Sequence, residues 1–397
     1  MKIKAADVLV LGGGAAGLFF AAEAAAKGLS VRVIEGANKV GKKILMSGGG
    51  RCNFTNRDVQ PKHFLSQNPK FCRSALASYS HLDFLALVKQ AGIAYEERDL
   101  GKLFCQGSAK EIVKLLLDRC QQQGVEIELN QPIQEVEHLG SDFVVRTKHG
   151  CFQAERLVLA LGGPSIPTLG ASPLGYRLAE QFGHSLIPVR PALVPLTWDG
   201  QLKERFAALS GISLVARVQS KGGQSFSEPV LLTHRGFSGP AILQLSSYWQ
   251  PGEAISIDWL HPENLEQLWE LWQQQHGKSQ LSSLLSPLLP SRLLAELLAD
   301  SPLNWQQKVA ELGKKHRQML KQRLCQWQMV PSGTEGWRTA EVALGGVNTK
   351  EMDAKSLASK KQEGLYIIGE LLDVTGWLGG YNFQWAWSSA YSCAKHL

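Results

Sequence analysis

The stretch DVLVLGGGAAG at residues 7–17 constrains this chain more than any other. Val8–Leu11 is an unbroken apolar run that ends in glycine, which reads as a buried strand. AAGLFFAAEAAAKG reads as an alanine-rich helix closed by Gly28, and LSVRVIE as a second, β-branched strand. Between the first strand and the helix lies Gly12-Gly13-Gly14-Ala15-Ala16-Gly17. Gly12 permits the tight turn, Gly14 lets the backbone approach a pyrophosphate, and Gly17 lets the helix pack against the strand. The amides of the first helical turn, at Ala15 and Ala16, carry partial positive charge suited to phosphate. Glu35 ends the second strand, 18 residues beyond Gly17, where a carboxylate accepts hydrogen bonds from ribose hydroxyls. The unit therefore predicts dinucleotide binding.

Two remote glycine stations favour FAD over a nicotinamide as the resident cofactor. LVLALGGPS runs a strand into Gly162 and Gly163, and GLYIIGELLD runs another into Gly369, Glu370 and Asp373. A flavoprotein of the glutathione-reductase type grips extended FAD from several such segments. GWLGGYNFQWAWSSA then opens a final helix at Gly379-Gly380, with Asn382 and Phe383 in its first turn. Its positive end is expected at the flavin N1/C2 carbonyl edge, and Trp385 and Trp387 are expected in the core. KKILMSGGGRCNFTN at 42–56 follows the second strand. Gly48, Gly49 and Gly50 let main chain lie close to a flat ring, and Lys43, Ser47, Arg51 and Asn53 supply polar contacts. No second GxGxxG occurs, so NADH or NADPH is expected to bind only transiently.

The 397 residues, 44% hydrophobic and 19% charged, support more than one domain. No apolar run reaches the length of a membrane span. The seven cysteines are odd in number and form no CxxC pair, which argues against a disulfide framework or a zinc site and for a reducing, cytoplasmic setting. The net charge of +7 is concentrated in two places. Lys39 to Arg73 holds eight Lys/Arg against Asp58 alone, and Leu303 to Gln328 holds six against Glu311 alone. Such patches fit a polyanionic partner. An amphipathic helix is expected at 111–123, and a hairpin turn at His149-Gly150. A domain boundary is expected in PVRPALVPL, short strands over about 196–250, and helical spacing over 262–328, carried by Trp305, Val309, Leu312, Leu320, Leu324 and Trp327.

GGGAAG, GKKILMSGGGRCNFTN, LLTHRGFSGPAIL and TAEVALGGV…GLYIIGELLDVTGWLGGYNFQWAWSSA together resemble the YhiN/BaiN-like flavoprotein family over nearly the whole chain. The resemblance implies an α/β FAD-binding domain, Rossmann-like, formed by residues 1–194 and 341–397. It also implies an insert at 195–340, a β-barrel to about 260 and helices to about 330. The implied activities are reduction of unsaturated bile-acid intermediates, dihydrouridine formation in large-subunit (23S) ribosomal RNA, and aminoacetone oxidation. The chain is most similar to the enterobacterial-type members linked to ribosomal RNA. The first two reactions add hydride and a proton to a C=C bond conjugated to a carbonyl, so an acid is needed. Cys52, beside Arg51, is the first candidate; His234 is the second and Cys105 the third. A small-molecule enone reductase or amine oxidase, and a non-enzymatic flavin-bearing RNA-binding factor, are the alternatives.

Overall fold

The computed structural model describes residues 3–299 and 301–397, which form two compact units. Of the described residues, the first comprises 3–191 and 341–397, and the second 192–299 and 301–340.

At the centre of the first unit is a five-stranded parallel sheet. Its order is Leu365–Ile367, Arg156–Leu159, Val8–Leu11, Val31–Ile34, Glu126–Glu128. Val8–Leu11 is fully buried because helices cover a parallel sheet on its faces, and a strand enclosed on both sides must be apolar throughout. The Ala15–Ala25 helix packs against the last helix, Tyr381–Lys395, and both are almost wholly buried. Alanine at six positions of the first helix lets the two backbones approach closely. Around this core lie a four-stranded sheet, which includes the Asp142–Thr147 and Cys151–Ala154 hairpin, and a three-stranded antiparallel sheet, Asn53–Asn56, Lys102–Cys105 and Tyr95–Arg98.

The second unit carries a seven-stranded sheet whose edges are Trp327–Met329 and Gly333–Thr334. Laid flat, seven strands at roughly 4.8 Å spacing would hold those edges about 29 Å apart. The chain from Met329 to Gly333 reaches at most about 14 Å. The sheet must therefore curl until its edges approach each other, as a barrel does. Trp198, Phe206, Phe237, Trp259 and Trp327 pack together in this unit as tilted and edge-to-face ring pairs.

One feature differs from the sequence reading. Residues 262–328 do not form one helical run. Short helices lie at Leu265–Gln275, Leu281–Leu285, Ser291–Leu298 and Lys314–Leu320, and Trp327 is a strand residue. Pro290 and Pro302 interrupt the run, as proline within a helix loses a backbone donor and clashes with the preceding turn. Leu186–Ala192, with Pro188 and Pro191, is a strand and pairs with Val342–Val347 alone. A strand bonded on one side tolerates missing amides.

Candidate functional site

The first glycine turn separates packing from ligand positions. A methyl on Gly12 (φ 108°) would lie 2.6 Å from the Ala160 carbonyl oxygen, and one on Gly17 would overlap the Gly12 carbonyl. A methyl on Gly14 would meet nothing within 4 Å. The turn is buried except at Gly14 and Ala15. Glu35 is aimed at this opening. Its Oε2 accepts from the Gly13 amide (2.7 Å) and its Oε1 from the Ala37 amide (2.7 Å), and each oxygen keeps a lone pair for another donor.

The second and third stations meet at Glu370. Its carboxylate accepts from Lys43 Nζ (2.6 Å), Ser165 Oγ (3.3 Å) and the Ala343 amide (2.9 Å). Lys43, read as a phosphate or flavin contact, is thus committed to a carboxylate. Gly162 (φ 66°) and Gly163 lie against the same group, and a methyl on Gly163 would press on the Ala343 side chain at 2.9 Å. Gly369 (φ 69°) is held at both ends by the last helix: its N–H donates to Ser389 Oγ (3.0 Å) and its carbonyl accepts from Trp385 Nε1 (3.0 Å). Ala16 lies directly over it, 3.0 Å from where its side chain would be.

Three proposed cofactor contacts have other partners. Asp373 is buried and accepts from the Gln67 amide (2.8 Å) and Ser66 Oγ (3.3 Å), and burial raises its pKa. Asn382 exchanges hydrogen bonds with Gly376 (2.8 and 2.9 Å), pinning the turn before the last helix. Phe383 stacks on Trp387 with centroids 5.7 Å apart. Gly380 (φ 93°) caps that helix so tightly against the Thr55 main chain that no side chain fits. The Asn53 amide accepts from the Gly380 N–H (3.1 Å) and donates to the Leu103 and Thr55 carbonyls (both 3.0 Å). Asn53 thereby ties the glycine loop to the last helix.

Within that loop Gly48, Gly49 and Gly50 all have positive φ, at 55°, 65° and 84°. Gly48 is packed under Phe104, whereas methyls on Gly49 and Gly50 would meet nothing within 4 Å. Ser47 Oγ donates to the Ile44 carbonyl (2.7 Å). Arg51 is half-exposed and reaches Glu96 at 3.5 Å.

The acid candidates do not fare equally. Cys52 is fully buried at φ 47°, and burial pushes its thiol up to about 12. Burial thus keeps this thiol in its neutral form and away from solvent. Cys105 is also fully buried and raised to about 12. His234 is exposed in the second unit, in a turn closed by Thr233 Oγ1, which accepts from the Arg235 and Gly236 amides (3.2 and 3.1 Å). Gly239 presses on the Pro229 carbonyl, where a methyl would sit at 2.6 Å. The glycine texture around His234 is thus accounted for by strand packing.

Sequence reading missed Tyr176. Its hydroxyl is buried, has no hydrogen-bond partner and lies 3.2 Å from the position of a Gly163 side chain, with Glu370 nearby. A lone tyrosine in YRLAEQF carries no sequence signal. Open backbone at Gly14 and at Gly49–Gly50, and an unpaired hydroxyl at Tyr176, are the features of this unit with room for a ligand's polar groups. Among the described residues no group of three or more His, Cys, Asp or Glu is placed to hold a metal. Among the described residues no helix is long and apolar enough to cross a membrane.

A family profile described as the HI0933-like protein Rossmann domain matches residues 6–396. The chain belongs to the HI0933-like family. A relative from Haemophilus influenzae, named ribosomal RNA dihydrouridine synthase, is 47% identical over 393 residues and 98% of each chain. Another, the 3-dehydro-bile acid delta(4,6)-reductase of Clostridium scindens, is 31% identical over 402 residues and 97% of each chain. Among solved structures, the 3-ketosteroid delta1-dehydrogenase of Sterolibacterium denitrificans superposes with a TM-score of 0.51 at 14% identity, covering 99% of both chains. At that identity the likeness is one of fold. The HI0933-like chain is thus an α/β, Rossmann-like protein whose relatives include one named a ribosomal RNA dihydrouridine synthase and one named a bile-acid reductase.

Proposed function

We propose that this chain is an FAD-dependent oxidoreductase that reduces a uridine of large-subunit ribosomal RNA to dihydrouridine, with NADH or NADPH as electron donor. The observation that carries the reading is the pair of backbone openings at Gly14 and Gly49–Gly50, with Glu35 turned toward the first. They lie on the segments that an extended FAD needs at its pyrophosphate and its ring. In this reading the amides of Gly14 and Ala15 take the pyrophosphate, Glu35 the ribose, and Tyr176 a polar group near Gly163. The isoalloxazine lies along Gly49 and Gly50, near the Gly380 end of the last helix. Bound flavin supplies hydride to an electron-poor C=C bond. The chain's part is to orient the base, exclude water and hold a proton at the carbon that takes no hydride.

The RNA substrate is supported by the 47% identical relative's name and by exposed cations on the second unit. Lys314 and Lys315 are exposed on the Lys314–Leu320 helix, while Arg317 and Lys321 are paired with Glu266 at 3.2 Å. A stacked base must leave its helix to reach a flavin. The test is to incubate FAD-loaded protein, a reduced nicotinamide and 23S rRNA from a deletion strain, and to measure dihydrouridine by mass spectrometry. A gain of one modified position is expected. No gain, together with turnover of a bile-acid-type enone, would favour the small-molecule reading suggested by the Clostridium relative.

A further inference from the structure

We propose that Leu100 is a wedge: it enters the stack of the RNA substrate beside the target uridine and holds open the place that the base leaves when it turns to the flavin. This rests on the RNA reading above and concerns how the base is extracted, not how it is reduced.

Leu100 lies in the turn Asp99–Gly101, at the tip of the hairpin formed by Tyr95–Arg98 and Lys102–Cys105. At 62% it shares with Met46 the highest exposure of any large apolar side chain among the described residues. A lone exposed leucine is ordinary, but its backbone here is not. Leu100 has φ 60°, a left-handed conformation that crowds a β-carbon and that asparagine or glycine adopts more readily. Among the described residues five others apart from glycine have positive φ. Cys52, Leu193 and Leu357 are buried, Ile166 is half-buried, and Asn130 is of the type that tolerates the conformation. Leu100 alone combines the strain with an exposed apolar side chain.

The turn is held in place from below. Asn56 Nδ2 donates to the Leu100 carbonyl (3.1 Å), and the Arg57 N–H donates to the Gly101 carbonyl (2.8 Å). A methyl on Gly101 would sit 2.9 Å from the Arg57 β-carbon, so the turn is pressed onto the chain there. Strain of this kind persists where the surroundings fix it, and it gathers at functional positions. The same Asn56 amide donates to the Gly379 carbonyl (3.0 Å), at the mouth of the last helix, and Phe104 of the same hairpin covers Gly48. Leu100 therefore stands at the rim of the place assigned above to the isoalloxazine.

A base that leaves its stack uncovers the faces of its neighbours, and an inserted apolar side chain such as leucine is a general way to occupy such a gap. The hairpin's charges do not make a phosphate clamp instead. Arg57 pairs with Glu97 (2.9 Å), Arg98 pairs with Glu96, and Asp99 and Lys102 match in number. One apolar side chain is also too little for a protein partner, since specific interfaces bury at least about 1,000 Å².

The experiment compares wild type, Leu100→Asn and Leu100→Met, each loaded with FAD, in single-turnover dihydrouridine formation on 23S rRNA from a deletion strain. Leu100→Asn is expected to slow the reaction about 10-fold or more. Leu100→Met, apolar and of similar volume, is expected to keep most of the rate. Asparagine relieves the left-handed strain, so the melting temperature of Leu100→Asn is expected to equal or exceed that of wild type. Flavin content and flavin reduction by nicotinamide are expected to stay unchanged. Turnover of Leu100→Asn within about threefold of wild type overturns the wedge and leaves the RNA reading standing. A parallel loss of flavin or of its reduction also overturns it, by assigning the leucine to the cofactor. So does a change from dimer to monomer on sedimentation, by assigning it to a contact between copies. If wild type forms no dihydrouridine on rRNA, the RNA reading falls and the wedge falls with it.

Discussion

Gly14 and Gly17 stand three residues apart in one motif, yet the structure assigns them different work. Gly14 sits at φ −83°, which alanine adopts readily, and its absent side chain faces open space. Gly14→Ala should leave the stability of the cofactor-free protein within about 0.5 kcal/mol while weakening FAD binding. Gly17→Ala should destabilise the fold by about 1–3 kcal/mol through overpacking. Thermal melts with and without added FAD separate the two, and equal losses in both variants would contradict the division. Glu35→Ala removes the carboxylate that holds the Gly13 and Ala37 amides. With charged hydrogen bonds worth about 1.5–3 kcal/mol, FAD affinity should drop roughly 10- to 100-fold, measured by flavin absorbance after dialysis. This much of the site was legible because a glycine motif states a backbone requirement. The burial of Cys52 and the unpaired hydroxyl of Tyr176 were not legible, because burial depends on neighbours distant in sequence. What seals the Cys52 thiol is its burial in the folded core beside Ser47, not the identity of Arg51 next to it.

At the level of elements, the last helix organises the site without touching much of it directly. Trp385 and Trp387, expected only as core, are both buried and both donate, to the Gly369 and Phe54 carbonyls (3.0 and 2.9 Å). Trp385→Phe keeps most of the packing and removes the bond that holds the Gly369 corner. It should reduce FAD retention more than it lowers the melting temperature. The parallel sheet and this helix were readable from their apolar runs. The helical portion of the insert was not, because leucines and tryptophans at helical spacing also suit short helices that end in a barrel strand. The first unit holds the buried histidines His63 and His184 and the half-buried His81. His63, His81 and His184 each have a pKa lowered chiefly by burial. A lowered histidine pKa means that the unfolded chain binds more protons, so stability rises with pH through the unfolded value near 6.5. Melting temperature should therefore drop as pH falls from 7.5 to 5.5. His184→Gln, which removes the group bonded to Ser359 (2.7 Å) and facing Glu351 (3.4 Å), should flatten part of that slope.

Over the whole molecule, the formal +7 charge overstates what is available to a polyanion. In the 39–73 run, Lys43, Arg51 and Arg57 are already engaged by Glu370, Glu96 and Glu97. In the 303–328 run, Glu266 engages both Arg317 and Lys321. Counting charges along the sequence could not reveal this, since the neutralising acids come from other segments. Lys314 and Lys315 therefore bear more of the argument for RNA than the run as a whole. Each phosphate contact contributes roughly 0.7–0.9 to the slope of log affinity against log salt. Reversing both lysines should lower that slope by about 1.4–1.8 and weaken rRNA binding most at low salt. Flavin content and reduction by nicotinamide should stay unchanged. Filter binding of 23S rRNA over a potassium chloride series reads the slope directly. An unaltered slope would remove this helix from the RNA-binding surface and shift the weight to the exposed Lys39, Lys62, Lys70 and Arg73 of the first unit, where the same measurement can be repeated residue by residue.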